Sequence, residues 1–445
     1  MSSISSSAQD RDHAQDHAHD DRHTHADLSQ SNITLPAGWG KGASMLMLGL
    51  GVLCLLATLA YAFITGDNDA DKAKAAKHAI SSYHVGYMVM LSFVLGSLGL
   101  VMIFTLVKAG WTAVLRRQLE NVSSMMWLAV AMFAPIVFAS LASPGILFKW
   151  MTPGLVETDM VLAAKAAFLN PVFFYVRLAI YFGVWMYLAA RLVGYSRQQD
   201  TSRDKELTVK AGFTSAWGIL AFAITVAFAS FDLVKALDFH WFSTMFGVYF
   251  FAGNTLAALC LLAVINAALR SAGRLKGVVT AEHSHDLGKL MFAFTVFWAY
   301  ISFCQYFLIW YANIPEETAW VMLRSHNGWQ YFGISLIVLH FVVPFLFLLW
   351  KQNKRSTAAL TVAASLLIAL HCVDLFWVIR PVVYMLAPSD GIIQGKMGLS
   401  WVDITGLAGP VLIFGGLLIR KIASGSLIAI GDPRLPEALG HKNYI

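Results

Sequence analysis

Ten stretches of the chain are apolar over a length that matches a membrane crossing: about 42–65, 82–107, 122–142, 170–194, 211–231, 241–270, 288–311, 329–350, 356–379 and 402–420. Crossing ~30 Å of hydrocarbon as a helix takes about 20 predominantly apolar residues at ~1.5 Å each. The pattern therefore predicts an all-α polytopic membrane protein with ten transmembrane helices, spans 1 to 10. What lies outside the spans is short. It divides into a disordered His-rich tail at 1–40, a ten-helix transmembrane domain at 41–425 and a C-terminal tail at 426–445, with no separate soluble domain.

Composition sharpens this picture by exclusion. Of the 445 residues, 58% are hydrophobic and only 13% charged, about half the charge that a water-facing domain carries. A soluble protein is excluded. Nucleic acid is not an expected partner, because a net charge of +6 is spread over short connections instead of one folded face. The lipid bilayer is the expected surrounding. Cys54, Cys260, Cys304 and Cys372 all fall inside apolar runs without CxxC spacing, so neither cluster ligation nor a disulfide framework is expected.

The charges orient the helices. Twenty-two of the 32 Lys and Arg residues fall in the two tails and in the connections on their side, nine fall on the opposite side, and Arg177 lies inside span 4. Basic residues are retained on the cytoplasmic side. Both termini are accordingly expected in the cytoplasm. No cleavable signal sequence is expected before the first apolar run, since the first 35 residues are polar. That tail holds His13, His17, His19, His23 and His25 among aspartates, a tract that could hold a borderline metal loosely but whose spacing imposes no coordination geometry. No metal site is assigned to it.

Ionisable groups inside a span are costly enough that each calls for a partner or a pathway. Here they gather toward the side opposite the tails. His84 lies near the outer start of span 2, and Arg177 about two turns in from the outer end of span 4. Asp232, Lys235, Asp238 and His240 fill the link between spans 5 and 6, and Gln305 is in the outer half of span 7. His371 and Asp374 are in the outer third of span 9, Arg380 closes it, and Asp403 opens span 10; His340 and Asn254 are deeper. Asp232 with Lys235, and His371 with Asp374, are three residues apart and would each share a helical face. The second pair could relay a proton, the carboxylate fixing the imidazole tautomer, or simply satisfy itself within a dry bundle. Glu316 and Glu317 after span 7 could collect protons or lie in a solvated loop. No helix offers two histidines spaced for stacked haems, so haem within this chain is not expected. Gly86, Gly96 and Gly99 in span 2 predict close helix packing.

Several motifs resemble one family. Ser-Tyr-His84-Val-Gly-Tyr, the segment from Leu237-Asp238-Phe-His240-Trp through Gly253, His285-Asp286-Leu-Gly-Lys289-Leu, and the run from Phe297-Trp through Gln305 to Glu316-Glu317-Thr closely resemble the ActF-type membrane subunit of bacterial alternative complex III. The likeness covers about residues 80 to 420 and excludes the His-rich tail. Phe239 stands where the pattern has proline, and Cys304 where serine is usual.

Such subunits are similar to NrfD-like and polysulfide-reductase-like membrane proteins. The resemblance implies two four-helix bundles, spans 2–5 and 6–9, flanked by spans 1 and 10, in a bacterial inner membrane. It further implies a respiratory complex that oxidises quinol and passes electrons through iron–sulfur clusters and c-type haems. Those cofactors would belong to an iron–sulfur subunit and c-type cytochrome subunits, beside a sister NrfD-like membrane subunit. None would be bound directly here, quinol being the one ligand this chain could touch. Carried over onto this sequence, the matching positions are His84, Asp238, His240, Asp286, Gln305 and Asp374.

Two classes of function follow. The first is a membrane subunit of a quinol-oxidising complex, a helical scaffold without a catalytic residue or metal of its own. Its candidates for contacting quinol or carrying protons are His84, Arg177, Asp232, Lys235, Asp238, His240, Gln305, His340, His371 and Asp374, with Asn254 and Ser92 as further midway groups. The second is a stand-alone secondary transporter, which would place its site at the midplane between broken helices. Polar density biased to one side favours the first.

Overall fold

The computed structural model describes residues 26–383 and 399–443. These residues are overwhelmingly helical and contain no strand. Ten helices are long and apolar enough to cross a membrane: α1 (Lys41–Ile64), α2 (Asp69–Leu106), α3 (Gly110–Ala142), α4 (Pro171–Ser202), α5 (Glu206–Leu237), α6 (Phe246–Ser271), α7 (Ala281–Ala312), α8 (Trp329–Leu349), α9 (Thr357–Val382) and α10 (Trp401–Ala423). The chain is a multi-pass all-α membrane protein, with a helix at each of the ten expected positions. Its His-rich tract lies outside the described residues.

Each half is organised on one buried helix. α2 packs against α3, α4 and α5, α6 packs against α7 and α9, and α8 lies between α7 and α9. The halves meet where α2 and α5 contact α6 and where α2 contacts α9, while α10 covers α2 from outside and carries α1. This is the expected pair of bundles with two flanking helices. α1 is the most lipid-exposed helix, presenting Leu46, Leu53, Phe63 and Ile64 outward; water could not solvate such a face.

Glycine sets the closest crossings. A Cβ on Gly96 would sit 2.1 Å from the Asn254 carbonyl oxygen, and one on Gly86 would sit 2.6 Å from that of Gly406. Only hydrogen at these positions lets α2 touch α6 and α10 backbone to backbone. Both were among the expected packing glycines.

α2 begins at Asp69, well before the apolar run. Asn68 caps it by accepting from the Asp71 amide at 2.9 Å, and Asp69 and Asp71 lie in its first turn, where carboxylates favour the positive end of a helix. With 38 residues it extends ~57 Å, so its first turns stand beyond the hydrocarbon.

Residues 26–40, expected to be disordered, are packed against the protein, and the C-terminal tail is docked; residues 1–25 lie outside the described residues. Asn32 Nδ2 donates to the Lys276 carbonyl at 2.9 Å and its Oδ1 accepts from the Lys276 amide at 2.9 Å. The Leu427 amide donates to the Ile33 carbonyl at 2.8 Å, and Leu427 and Ile428 are fully buried. Two short apolar anchors suffice to tie both segments to the face from which the tails emerge, although neither forms a run long enough to register as a span.

Candidate functional site

The buried polar groups fall into two kinds, those whose charges are closed by a partner and those left open. The first kind is built where α4 meets α5. Arg177 Nε donates to Asp232 Oδ2 at 2.9 Å and Nη2 to Oδ1 at 2.7 Å, a bidentate geometry that matches guanidinium to carboxylate. Nη1 donates to the Phe168 carbonyl at 2.8 Å and Tyr181 donates to Asp232 Oδ2 at 2.8 Å. The Phe168 and Phe173 rings cover the guanidinium at 3.8 and 4.5 Å.

Asp232 thus belongs to Arg177 and not, as spacing suggested, to Lys235. The regular helix ends at Leu233, and Lys235 starts a separate 3-10 turn, so the shared face is lost. Lys235 instead lines a cavity of about 310 Å³ beside Lys165, Phe168 and Phe239.

A second closed knot joins α9, α10 and α2. Arg380 Nε donates to Asp403 Oδ1 at 2.8 Å and its Nη1 to Ser81 Oγ at 3.0 Å. Ser82 donates to the same carboxylate at 2.6 Å, and His78 Nε2 lies 3.0 Å from it. Both ends of the carboxylate are used, since Oδ2 accepts the Ser400 amide at 3.0 Å.

A cluster of the open kind lies in the second bundle, beside scattered unpaired atoms such as His84 Nδ1 and the Tyr87 hydroxyl in the first. His340, His371 and Asp374 are 1%, 3% and 2% exposed. Asp374 accepts a hydrogen bond from the Tyr249 hydroxyl and one from Trp298 Nε1 at 3.2 Å. No Lys or Arg nitrogen of the described residues lies within 4.0 Å of it. His371 therefore does not pair with Asp374. The carboxylate turns to α6 and α7, and both His371 ring nitrogens are left without a protein partner.

His340 is in the same condition, with both nitrogens unmet and its ring edge-on to Trp298 at 4.2 Å. One indole thus touches His340 on one side and donates to Asp374 on the other. Asn254, with neither side-chain polar atom paired, follows Gly253, whose Cβ position lies 3.3 Å from the His371 ring. Unpaired buried groups of this density are costly, ~1–3 kcal/mol each, and ordered water is the usual remedy.

Local structure explains how these groups meet. α8 changes to a π-helical turn over Leu336–Val342, with Pro344 just beyond; such a turn widens the helix and often marks a functional position. His340 sits in it. α9 continues to Val382, beyond the expected end near 379. His371 is consequently nearer the middle of the helix than its outer third, and Asp374 lies one turn farther toward the face opposite the tails.

The remaining candidates are dispersed. His84 Nε2 is 2.8 Å from the Leu233 carbonyl, with Nδ1 unpaired. Asp238 accepts from the His240 and Trp241 amides at 3.2 and 3.4 Å, and His240 Nε2 meets Asp159 Oδ2 at 2.8 Å. Gln305 accepts from Ser243 at 2.9 Å.

Sequence reading missed Arg324, which counts as a loop charge until the helix Pro315–Arg324 folds it inward. It donates to the Trp377, Trp320 and Val378 carbonyls at 3.1, 2.9 and 2.5 Å and stacks on Trp320 at 3.5 Å. Burial pulls its guanidinium down from the ordinary arginine range, while Asp238 and Tyr249 oppose that shift. Tyr249 and Trp298 were likewise read only as apolar motif positions.

No group of three or more His, Cys, Asp or Glu side chains among the described residues could hold a metal. Chemically, the second bundle offers exchangeable hydrogen-bonding groups in series, and the first offers a fixed ion pair. Fold and site together define a polytopic membrane protein with a cluster of buried, unpaired polar side chains in its second bundle. Neither the protein-family models nor the curated proteins include a match to this chain.

Proposed function

We propose that this protein is a non-redox membrane subunit of a bacterial respiratory complex that oxidises quinol, of the alternative complex III class, set in the inner membrane with its tails in the cytoplasm. The observation that carries the proton part of this reading is the open set Asn254, His371, His340 and Asp374. These side chains are buried, largely unmet by protein partners, and arranged from mid-depth toward the face opposite the tails.

An imidazole can accept a proton at one ring nitrogen and release one from the other. A carboxyl held by two neutral donors, without a countercharge, can exchange one where Asp232 is held by Arg177. Water between these groups would complete the route, and protons would travel between mid-depth and the outer polar layer, where quinol oxidation releases them. Quinol could contact that layer, while electrons would pass through iron–sulfur and haem-c groups in partner subunits. The family motifs quoted above support the choice of complex.

The alternative, a stand-alone secondary transporter, draws support from the π turn around His340 and the mid-depth position of His371, since transporters bind cargo at broken helices near the midplane. Affinity purification of the full chain in mild detergent separates the two. The subunit reading expects haem-c and iron–sulfur polypeptides in fixed ratio; a lone homo-oligomer would overturn it.

A further inference from the structure

A cavity of about 520 Å³ opens on the face opposite the tails, between elements of both bundles. Three lysines line it: Lys77 from α2, Lys149 from the α3–α4 link, and Lys165 at the end of the short helix Met160–Lys165. All three are half-buried. No carboxylate of the described residues lies within 4.0 Å of any of their amines. Lys165 Nζ donates to the Phe239 carbonyl at 2.6 Å, which leaves two of its protons unused.

The two acidic residues in the lining do not close this charge. Asp238 turns Oδ1 to the His240 and Trp241 amides and acts on Lys165 only from beyond ion-pair distance, and Glu316 is exposed to solvent. Asp159, nearby, is taken by His240. Burial lowers the affinity of the Lys165 amine for its proton, against Asp238 and Asp159, which hold it charged. An anion in the cavity would meet three amines of its lining that no carboxylate closes.

The walls select the kind of anion. Most of the lining is apolar, and Val161 and Phe242 remain exposed at the rim. α2 leaves the apolar zone near Lys77, so the rim lies at the height of lipid headgroups. A small soluble anion would have no use for the apolar rim, and a neutral ring would have none for three ammonium groups. Basic pockets between transmembrane helices bind phospholipid headgroups on the cytoplasmic side of membranes, and the same pairing of ammonium with phosphate is available on this face.

We propose that this cavity binds an anionic phospholipid from the adjoining leaflet, its phosphate held by Lys77, Lys149 and Lys165 and its acyl chains leaving across Val161 and Phe242. The inference stands apart from the respiratory reading, because none of the three lysines is part of the open track.

Native mass spectrometry of the full-length protein, exchanged between micelles containing phosphatidylglycerol or phosphatidylcholine, tests it. Wild type should retain phosphatidylglycerol preferentially. The triple variant Lys77→Gln, Lys149→Gln, Lys165→Gln should retain it on the order of a hundredfold less, each lysine beside the headgroup contributing a factor of about five. The single change Lys149→Gln, in a link between helices, should cost about fivefold and serves if the triple variant does not fold. Substituting all three by Arg should preserve retention, and Lys205→Gln with Lys210→Gln on the tail face should leave it unchanged. Equal retention by wild type and the Lys149→Gln variant would overturn the proposal, as would full displacement by inorganic phosphate, which would assign the lysines to a free anion.

Discussion

Arg177 and Asp232 face each other across α4 and α5 through two parallel hydrogen bonds of 2.9 and 2.7 Å, and every polar atom of the pair is directed at protein. Removing one partner strands a buried charge, at ~3–5 kcal/mol, whereas replacing both with apolar residues of similar volume is often close to neutral. Arg177→Leu alone should therefore lower the thermal midpoint of the detergent-solubilised protein far more than Arg177→Leu with Asp232→Leu. Equal losses in the single and double variants would show that the pair does not behave as a closed unit.

Asp374 should respond differently. Trp298 and Tyr249 bond opposite oxygens of the carboxylate; an asparagine can still accept from the Trp298 indole with its oxygen and donate its amide to the Tyr249 oxygen, and no guanidinium is left stranded by the change. Asp374→Asn should cost no more than ~1.5 kcal/mol, and Asp232→Asn should cost clearly more because Arg177 stays buried. The ranking is readable in the same melting experiment. The reverse order would contradict the division into closed and open groups.

Packing between the bundles rests on bare backbone. A methyl group on Gly96 would be forced to 2.1 Å from the Asn254 carbonyl oxygen, which requires α2 and α6 to separate; overpacking of this kind costs ~1–3 kcal/mol or more. Gly96→Ala should lower stability by at least that amount. Gly183→Ala in α4, where the added atom meets nothing within 4 Å, should be neutral or slightly stabilising.

Outside the spans, Asp159 gives a pH signature. It caps the helix Met160–Lys165 through the Val161 and Leu162 amides at 2.9 and 3.0 Å and meets His240 at 2.8 Å. Burial pushes its carboxyl up, but the Leu162 amide, His240 and the Val161 amide together hold it below the ordinary 3.8. A carboxyl whose folded value is below its unfolded one stabilises the fold above the unfolded value and loses that contribution as pH falls through the folded one. Asp159→Asn should thus be less stable than wild type near neutral pH, by ~1 kcal/mol or less. The gap should close on acidification below 3.8. A gap independent of pH would assign the effect to capping geometry alone.

The ten crossings were legible because each is an unbroken apolar run of sufficient length, and the two-bundle arrangement followed from the family resemblance. Boundaries were less so. The polar start of α2 hid a helix that Asn68 and the aspartates after it do signal, and α9 ran past its expected end, which moved His371 inward. Spacing placed His371 and Asp374 on one face but could not reveal that Tyr249 and Trp298, on other helices, would take the carboxylate. Arg324 was invisible for the same reason: its partners are carbonyls of α9 and of its own short helix. Residues three apart were also insufficient for Asp232 and Lys235, because the helix stops between them.

The proton route is tested most directly by the proton-to-electron ratio during quinol oxidation by the intact complex in sealed vesicles. Asp374→Asn and His371→Ala are expected to assemble normally and to lower that ratio or slow turnover. Unchanged stoichiometry and turnover in both variants would contradict it and leave the open track as packing alone.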